Sequence, residues 1–345
     1  MTQMALLMVG LLAAADRGPP IAGSPCTGKE DLLALKGKWT VRTDVGRGTN
    51  IPAGAASEVD KRIDRIGKLF HAAYPEPRGM DAAGYRDLDS PQLFENGPFP
   101  YSYRSLYLAW SCNPRTHKLQ LGGETATWAY AFVNHLTWFV EPQKTLRVQG
   151  QPTYLLTKRV GSFRGLPEYE GIHNQSSNTG QTFSRAILVS RTGRSPLKPV
   201  TRKQFLEGYL AALDAQGQAM IAEIEKSSVD PGRKDTLVKQ RRAQLSTLSA
   251  TATGRLSRMS PSEAEQQAFL TGPNLVQFKD FTAEAQGGRA LVRLDRSAID
   301  ASLPRFVPQF VVVYWRWQKN VPSENFRAEF ERRFDSTALE GLLGH

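Results

Sequence analysis

Few residues of this chain are of a type and spacing that could do chemistry, and the best placed of them is His173. It stands in Gly171-Ile-His-Asn-Gln-Ser-Ser-Asn-Thr-Gly180, a ten-residue polar stretch between apolar segments. Its imidazole and the amides of Asn174, Gln175 and Asn178 make a candidate loop for a sugar or peptide ligand. An unliganded surface loop has the same composition. The other four histidines are in weaker settings. His71 closes an amphipathic helix, where a cationic imidazole suits the dipole. His117 falls in a hairpin turn, His135 follows Asn134 at a strand end, and His345 is the last residue. With so few members to draw on, no catalytic residue, metal ligand or cofactor is assigned.

Three other groupings carry chemical potential. Glu168 and Glu170 could serve glycoside hydrolysis, which needs two carboxyls about 5–10 Å apart across a cleft, but their spacing alone does not place them there. Thr201, Arg202 and Lys203 open a helix, and its first-turn N–H groups with two cations form a candidate anion site. A salt bridge to a neighbouring acid is the competing use of those cations. Trp110, Trp128, Trp138, Trp315 and Trp317 would make either a sugar platform or, as strand tryptophans usually do, core. Walker, dinucleotide-binding and zinc-protease patterns are absent, and Gly161-Ser-Phe-Arg-Gly165 has its serine one place early for a nucleophile elbow.

Compartment comes from the first residues. Met4 to Ala15 is a twelve-residue run without charge, followed by Asp16-Arg17-Gly-Pro-Pro. As a helix it would reach about 18 Å, short of a bilayer core of roughly 30 Å, and Ala13-Ala14-Ala15 supplies small residues for cleavage. Residues 1–15 are therefore expected to be a signal peptide, although Thr2-Gln3 gives it no Lys or Arg. The two cysteines, Cys26 and Cys112, fit an oxidising compartment, where bridging them would pin an N-terminal arm. Net charge is +11, which suits an anionic partner: in a bacterial envelope, lipid headgroups, lipopolysaccharide or cell-wall polymers. The basic residues are spread thinly, clustering only at Lys239-Gln-Arg-Arg242 and Arg332-Arg333, and a solvated basic surface is the favoured reading. Nucleic acid suits the charge but not the compartment, and no transmembrane span is expected.

The elements that would position these residues read as follows. Residues 16–56 form an extended arm in which Leu32 to Val41 docks a short segment. Ser57 opens a helix with Val59, Ile63, Ile66, Leu69 and Phe70 on one face, stopped by Tyr74-Pro-Glu-Pro77. Residues 78–100 read as loop. Tyr101 to Cys112 and Thr125 to Val140 read as strands, with Trp128, Tyr130 and Phe132 opposite Ala129, Ala131 and Val133; that split puts a helix over the small face. Ala186 to Val189 is a strand. Thr201 with Gln204 forms a capping box for a helix running on through Ile224, and Asp230-Pro-Gly232 turns into a second, more polar helix to about Met259. Phe310-Val-Val-Val-Tyr-Trp-Arg-Trp317 is expected at the centre of a sheet, followed by a closing helix through Phe326, Phe330 and Phe334. This order predicts an α+β fold: a mostly antiparallel sheet covered by helices, one domain over 57–345, with a protruding antiparallel helical hairpin at about 202–259.

The tract Ala186 to Leu206, most specifically Pro199-Val-Thr-Arg-Lys203, resembles one in uncharacterised exported bacterial proteins, and Leu303 to Gln309 with the strand after it is similar to their C-terminal part. The resemblance implies an envelope or secreted setting and carries no activity or site residue. Together these features lead to an expected exported protein, periplasmic or secreted, that binds or scaffolds in the envelope without catalysis. The alternative is a hydrolase of cell-wall or polysaccharide material.

Overall fold

The computed structural model describes residues 22–41, 51–87, 92–177, 180–191, 194–271 and 278–345. The expected signal peptide and part of the arm lie outside them. In chain order the elements are β1 (Trp39–Val41), α1 (Ala53–Ala73), β2 (Met80–Asp87), β3 (Tyr101–Asn113), β4 (Lys118–Leu121) and β5 (Trp128–Val133). Then come β6 (Val140–Val148), β7 (Gln151–Leu156), β8 (Arg159–Phe163), β9 (Leu166–Glu170), β10 (Gln175–Ser177), β11 (Gly180–Ser190) and β12 (Leu197–Pro199). The hairpin helices α2 (Arg202–Lys226) and α3 (Pro231–Ser257) and short α4 (Pro261–Ala264) follow, then β13 (Phe269–Leu270), β14 (Arg289–Leu294), β15 (Phe310–Gln318), α5 (Val321–Arg333) and α6 (Ser336–Glu340).

Two sheets result. The larger has the order β1-β2-β3-β5-β15-β11-β9-β8, with β4 on β3 and β10 on β11; the smaller runs β12-β14-β7-β6, with β13 on β14. Only β1–β2 is parallel among the described pairings. Strand periodicity then builds the layers. On β15, Val311, Val313, Trp315 and Trp317 meet α1, α5 and α6, whereas Phe310, Val312 and Tyr314 meet the smaller sheet. The small face of β5, with Ala129, Ala131 and Val133, lies under the helices as its composition requires, and Tyr130 and Phe132 point between the sheets. Leu155 of β7 and Leu291 of β14 look the other way, onto Phe205, Leu206 and Tyr209 of α2. The α+β protein is thus four layers deep, helix–sheet–sheet–helix. Phe330 and Phe334 are fully buried against Phe70, and Phe326 against Tyr74 and Tyr107, each worth about 1.5–3 kcal/mol in transfer free energy.

Four sequence boundaries shift. The tract 125–140 is not one strand: β5 covers Trp128–Val133, and a turn with Asn134 and Trp138 at positive φ leads into β6 at Val140. The helix expected from Ser57 starts at Ala53, directly after Pro52. Residues 80–87, read as loop, form β2: Met80-Asp-Ala-Ala-Gly-Tyr-Arg-Asp lacks β-branched residues, and its pairing partners and the helix above it set the conformation. The arm is not wholly extended either, since its segment 39–41 joins the sheet as β1.

The Cys26–Cys112 disulfide is formed, with Cα atoms 5.8 Å apart. It fastens the arm to the end of β3 beside Leu35, Trp110 and Leu119, where Gly23 and Cys26 donate to the carbonyls of Leu119 and His117. A second fastening is Asn134, buried and at φ +58°, where the left-handed backbone is tolerated better by Asn than by most residues. Its Nδ2 donates to the carbonyls of Phe99 (3.1 Å) and Val307 (3.2 Å), and its Oδ1 accepts from the Gln309 N–H (2.8 Å). One amide therefore joins three loops.

Candidate functional site

His173 lies between β9 and β10, at a corner of the large sheet where aromatic rings crowd together. Its Nδ1 is 2.8 Å from Tyr314 Oη, and its ring stands edge-on to Trp138 with centroids 4.5 Å apart. Trp138 takes φ +61°, a strained backbone for so bulky a residue, and is held there by the rings of Tyr130, Phe132, Tyr314 and His173. Arg316 closes the group, its guanidinium 4.9 Å over Trp128. Gly171 is required beside it: a Cβ there would meet Ser184 Oγ at 2.2 Å and Tyr314 at 2.7 Å. Asn174 turns inward as well, its Oδ1 accepting from Ser184 Oγ at 2.9 Å and its Nδ2 donating to Glu170 Oε1 at 2.6 Å. Gln175 belongs to β10, paired with Thr182 of β11, and Asn178 lies outside the described residues. The structure therefore brings His173 and Asn174 together as ties between strands.

Burial favours the uncharged form of the titratable groups of this corner. Burial and the nearby Arg316 lower the His173 imidazole, and burial pushes the Tyr314 phenol up to about 12. Burial also raises Glu168, against the pull of Arg185, whose Nε lies 3.5 Å from its carboxylate.

At the start of α2, Thr201 accepts from the Gln204 N–H and Gln204 returns the bond, completing the capping box. Arg202 is 2.9 Å from Glu263 at the start of α4, and Glu263 also binds Arg255, which reaches Asp280 at 3.0 Å. The hydrogen bond from Arg255 and the charge of both arginines hold Glu263 below the usual carboxylate range. Lys203 faces Glu207 of its own helix at 4.0 Å. At the candidate anion position, then, the anion beside Arg202 is the chain's own Glu263.

The helical hairpin has a base and a free end. Phe205, Leu206, Tyr209 and Leu213 bury the base against the smaller sheet, and Ala252 of α3 meets them. Gly217 lets the helices touch, since a Cβ there would lie 2.3 Å from Leu245. From residue 218 to 251 no residue is buried. On α3 this outer half carries Arg233, Lys234, Lys239, Arg241 and Arg242 within ten residues, with Asp235 the acid among them; Glu223, Glu225 and Asp230 lie on α2 and the turn. Among the described residues, no ion pair engages any of these five cations. Lys239-Gln-Arg-Arg242 thus sits on the unburied end of the hairpin.

A groove of about 310 Å³ went unrecognised in the sequence. It runs between α1 and the edge formed by β1–β3, with His71 and Lys68 on one side and Trp39 and Tyr85 among its walls. Its residues come from four elements, and only the parallel β1–β2 pairing, invisible to local pattern, assembles them. No family model matches the chain, and no curated protein or solved structure shows significant similarity to it. No helix among the described residues is long and apolar enough to cross a membrane.

Proposed function

We propose that this chain is exported and works in the cell envelope, or beyond it, as a non-catalytic binding or scaffolding protein. The outer half of the helical hairpin meets an anionic, phosphate-bearing surface. The observation that carries the reading is that unburied stretch of α3, with five cations in ten residues and no ion pair among them in the described structure. Near an anionic bilayer each such cation contributes about 1 kcal/mol, so a cluster of this size suffices for reversible attachment. The rest of the exposed surface of α3 is mostly Gln, Ser, Thr and Ala, with no large apolar side chain, which suits contact at headgroup level rather than insertion. One feature supports the setting: a disulfide, which an oxidising compartment sustains. No arrangement among the described residues favours the hydrolase alternative, since Glu168 is engaged by Arg185, Glu170 by Asn174 and His173 by Tyr314.

Co-sedimentation with vesicles tests the proposal. The chain is expected to bind phosphatidylglycerol vesicles and not phosphatidylcholine ones, with binding that falls as salt rises. Lys239→Glu with Arg242→Glu should weaken it at least tenfold while leaving the melting temperature unchanged. Equal binding by the charge-reversed chain would overturn the assignment.

A further inference from the structure

The groove between α1 and the β1–β3 edge is built to hold something. Tyr103 lies along its floor because two glycines on opposite sides make room. A Cβ on Gly67 of α1 would come within 2.9 Å of the Tyr103 ring, and one on Gly84 of β2 within 2.4 Å of its hydroxyl. Any other residue at either position would displace the ring that forms the floor. Trp39 is fixed as one wall by its own hydrogen bond, Nε1 donating to the Tyr74 carbonyl at 2.8 Å, and by the His71 ring 5.1 Å away. Tyr85 is part of the lining, with the Arg104 guanidinium 5.0 Å from its ring centre. Val41, at the end of β1, is 65% exposed on the rim.

Charge decides what such a cleft would accept. Of the lining charges, Asp64 is bound by Arg86 and the two offset one another; Asp60, 3.5 Å from Arg86, is not part of the lining. Lys68 is left: an exposed ammonium on the groove with no ion pair among the described residues, one helical turn from the imidazole of His71. Aromatic walls favour a ring packed edge-on or offset against them. An unpaired ammonium beside an imidazole N–H favours a carboxylate. We infer that this groove is a binding site for a ring-bearing carboxylate, its ring between Trp39, Tyr85 and Tyr103 and its carboxylate at Lys68 and His71. The site is separate from the hairpin and does not depend on the function proposed for it.

Calorimetric titration of the whole chain with indole-3-acetate and with its neutral amide, indole-3-acetamide, tests this. The acetate should bind saturably and more tightly than the amide. Lys68→Met should weaken the acetate about tenfold and leave the amide unchanged. Val41→Asp, which sets a negative charge on the rim, should weaken the acetate further. Both positions are exposed, so circular dichroism and the melting curve should not move. Absence of saturable binding, equal affinity for acetate and amide, or acetate binding indifferent to Lys68→Met would each overturn the assignment.

Discussion

Replacing both cysteines, Cys26→Ala with Cys112→Ala, gives the sharpest test of how the arm is held. The bridge closes a loop with a sequence separation of 86 residues. In the chain-entropy treatment a loop of that length removes about 15 cal/mol/K from the unfolded chain, or about 4.6 kcal/mol at 25 °C. With an unfolding entropy of about 2.1 cal/mol/K per residue, a chain of 345 residues should lose about 6 °C in melting temperature. In urea the midpoint should fall and the slope should rise, because the unlinked chain exposes more surface. The arm should also open locally. Once the bridge is gone, it rests on backbone bonds to Leu119 and His117 and on the small cluster of Leu35, Trp110 and Leu119. Hydrogen exchange over residues 22–35 should therefore accelerate more than exchange in β15. Wild-type protein treated with reductant should reproduce the variant. A melting shift under about 2 °C, with unchanged exchange in the arm, would refute the idea that the bridge is what fastens it.

Two further substitutions probe the buried polar groups. Burial lowers the His135 pKa from 6.5 to about 4, so stability is complete above pH 6.5 and is lost as pH falls toward 4, by about 3 kcal/mol. In His135→Gln that component should vanish, seen as a flatter difference curve of urea midpoints against pH; parallel curves would contradict it. Asn134→Ala should cost about 3 kcal/mol, because it strands two buried carbonyls and one N–H and leaves a left-handed backbone unsupported. A loss under about 1 kcal/mol in denaturant titration would show that the three loops hold without it.

The parts of the fold legible in the sequence were those written in local periodicity. The alternation of β5 revealed which face is small and which bulky, the apolar run of β15 put it inside its sheet, and Thr201 with Gln204 marked the start of α2. The second layer of sheet was hidden: Arg289 to Leu294 reads as a strand by itself, but its neighbour β7 buries Leu155 toward α2 and Leu156 between the sheets and so lacks a simple in-out rhythm. β2 was hidden because its small residues are chosen by the helix above them rather than by strand preference. For the candidate sites the limit was partnership. Sequence placed Arg202 at a helix start, but Glu263, sixty-one residues later, neutralises it. It placed His173 among polar neighbours, but Tyr314, from the other end of the chain, takes its Nδ1. His71 looked like a helix-end residue, and it is one. Its place on a groove follows from β1 and β2 lying alongside, which no short window contains.

The central claim is that this protein does its work outside the cytosol, and one measurement reaches it most directly. Tagged protein from fractionated cells should be alkylated with and without prior reduction, and its intact mass read by mass spectrometry. The account predicts protein in the envelope or medium, shortened by the Met1–Ala15 leader, with Cys26 and Cys112 alkylated only after reduction. Full-length protein in the cytosolic fraction, with both thiols alkylated at once, would contradict it.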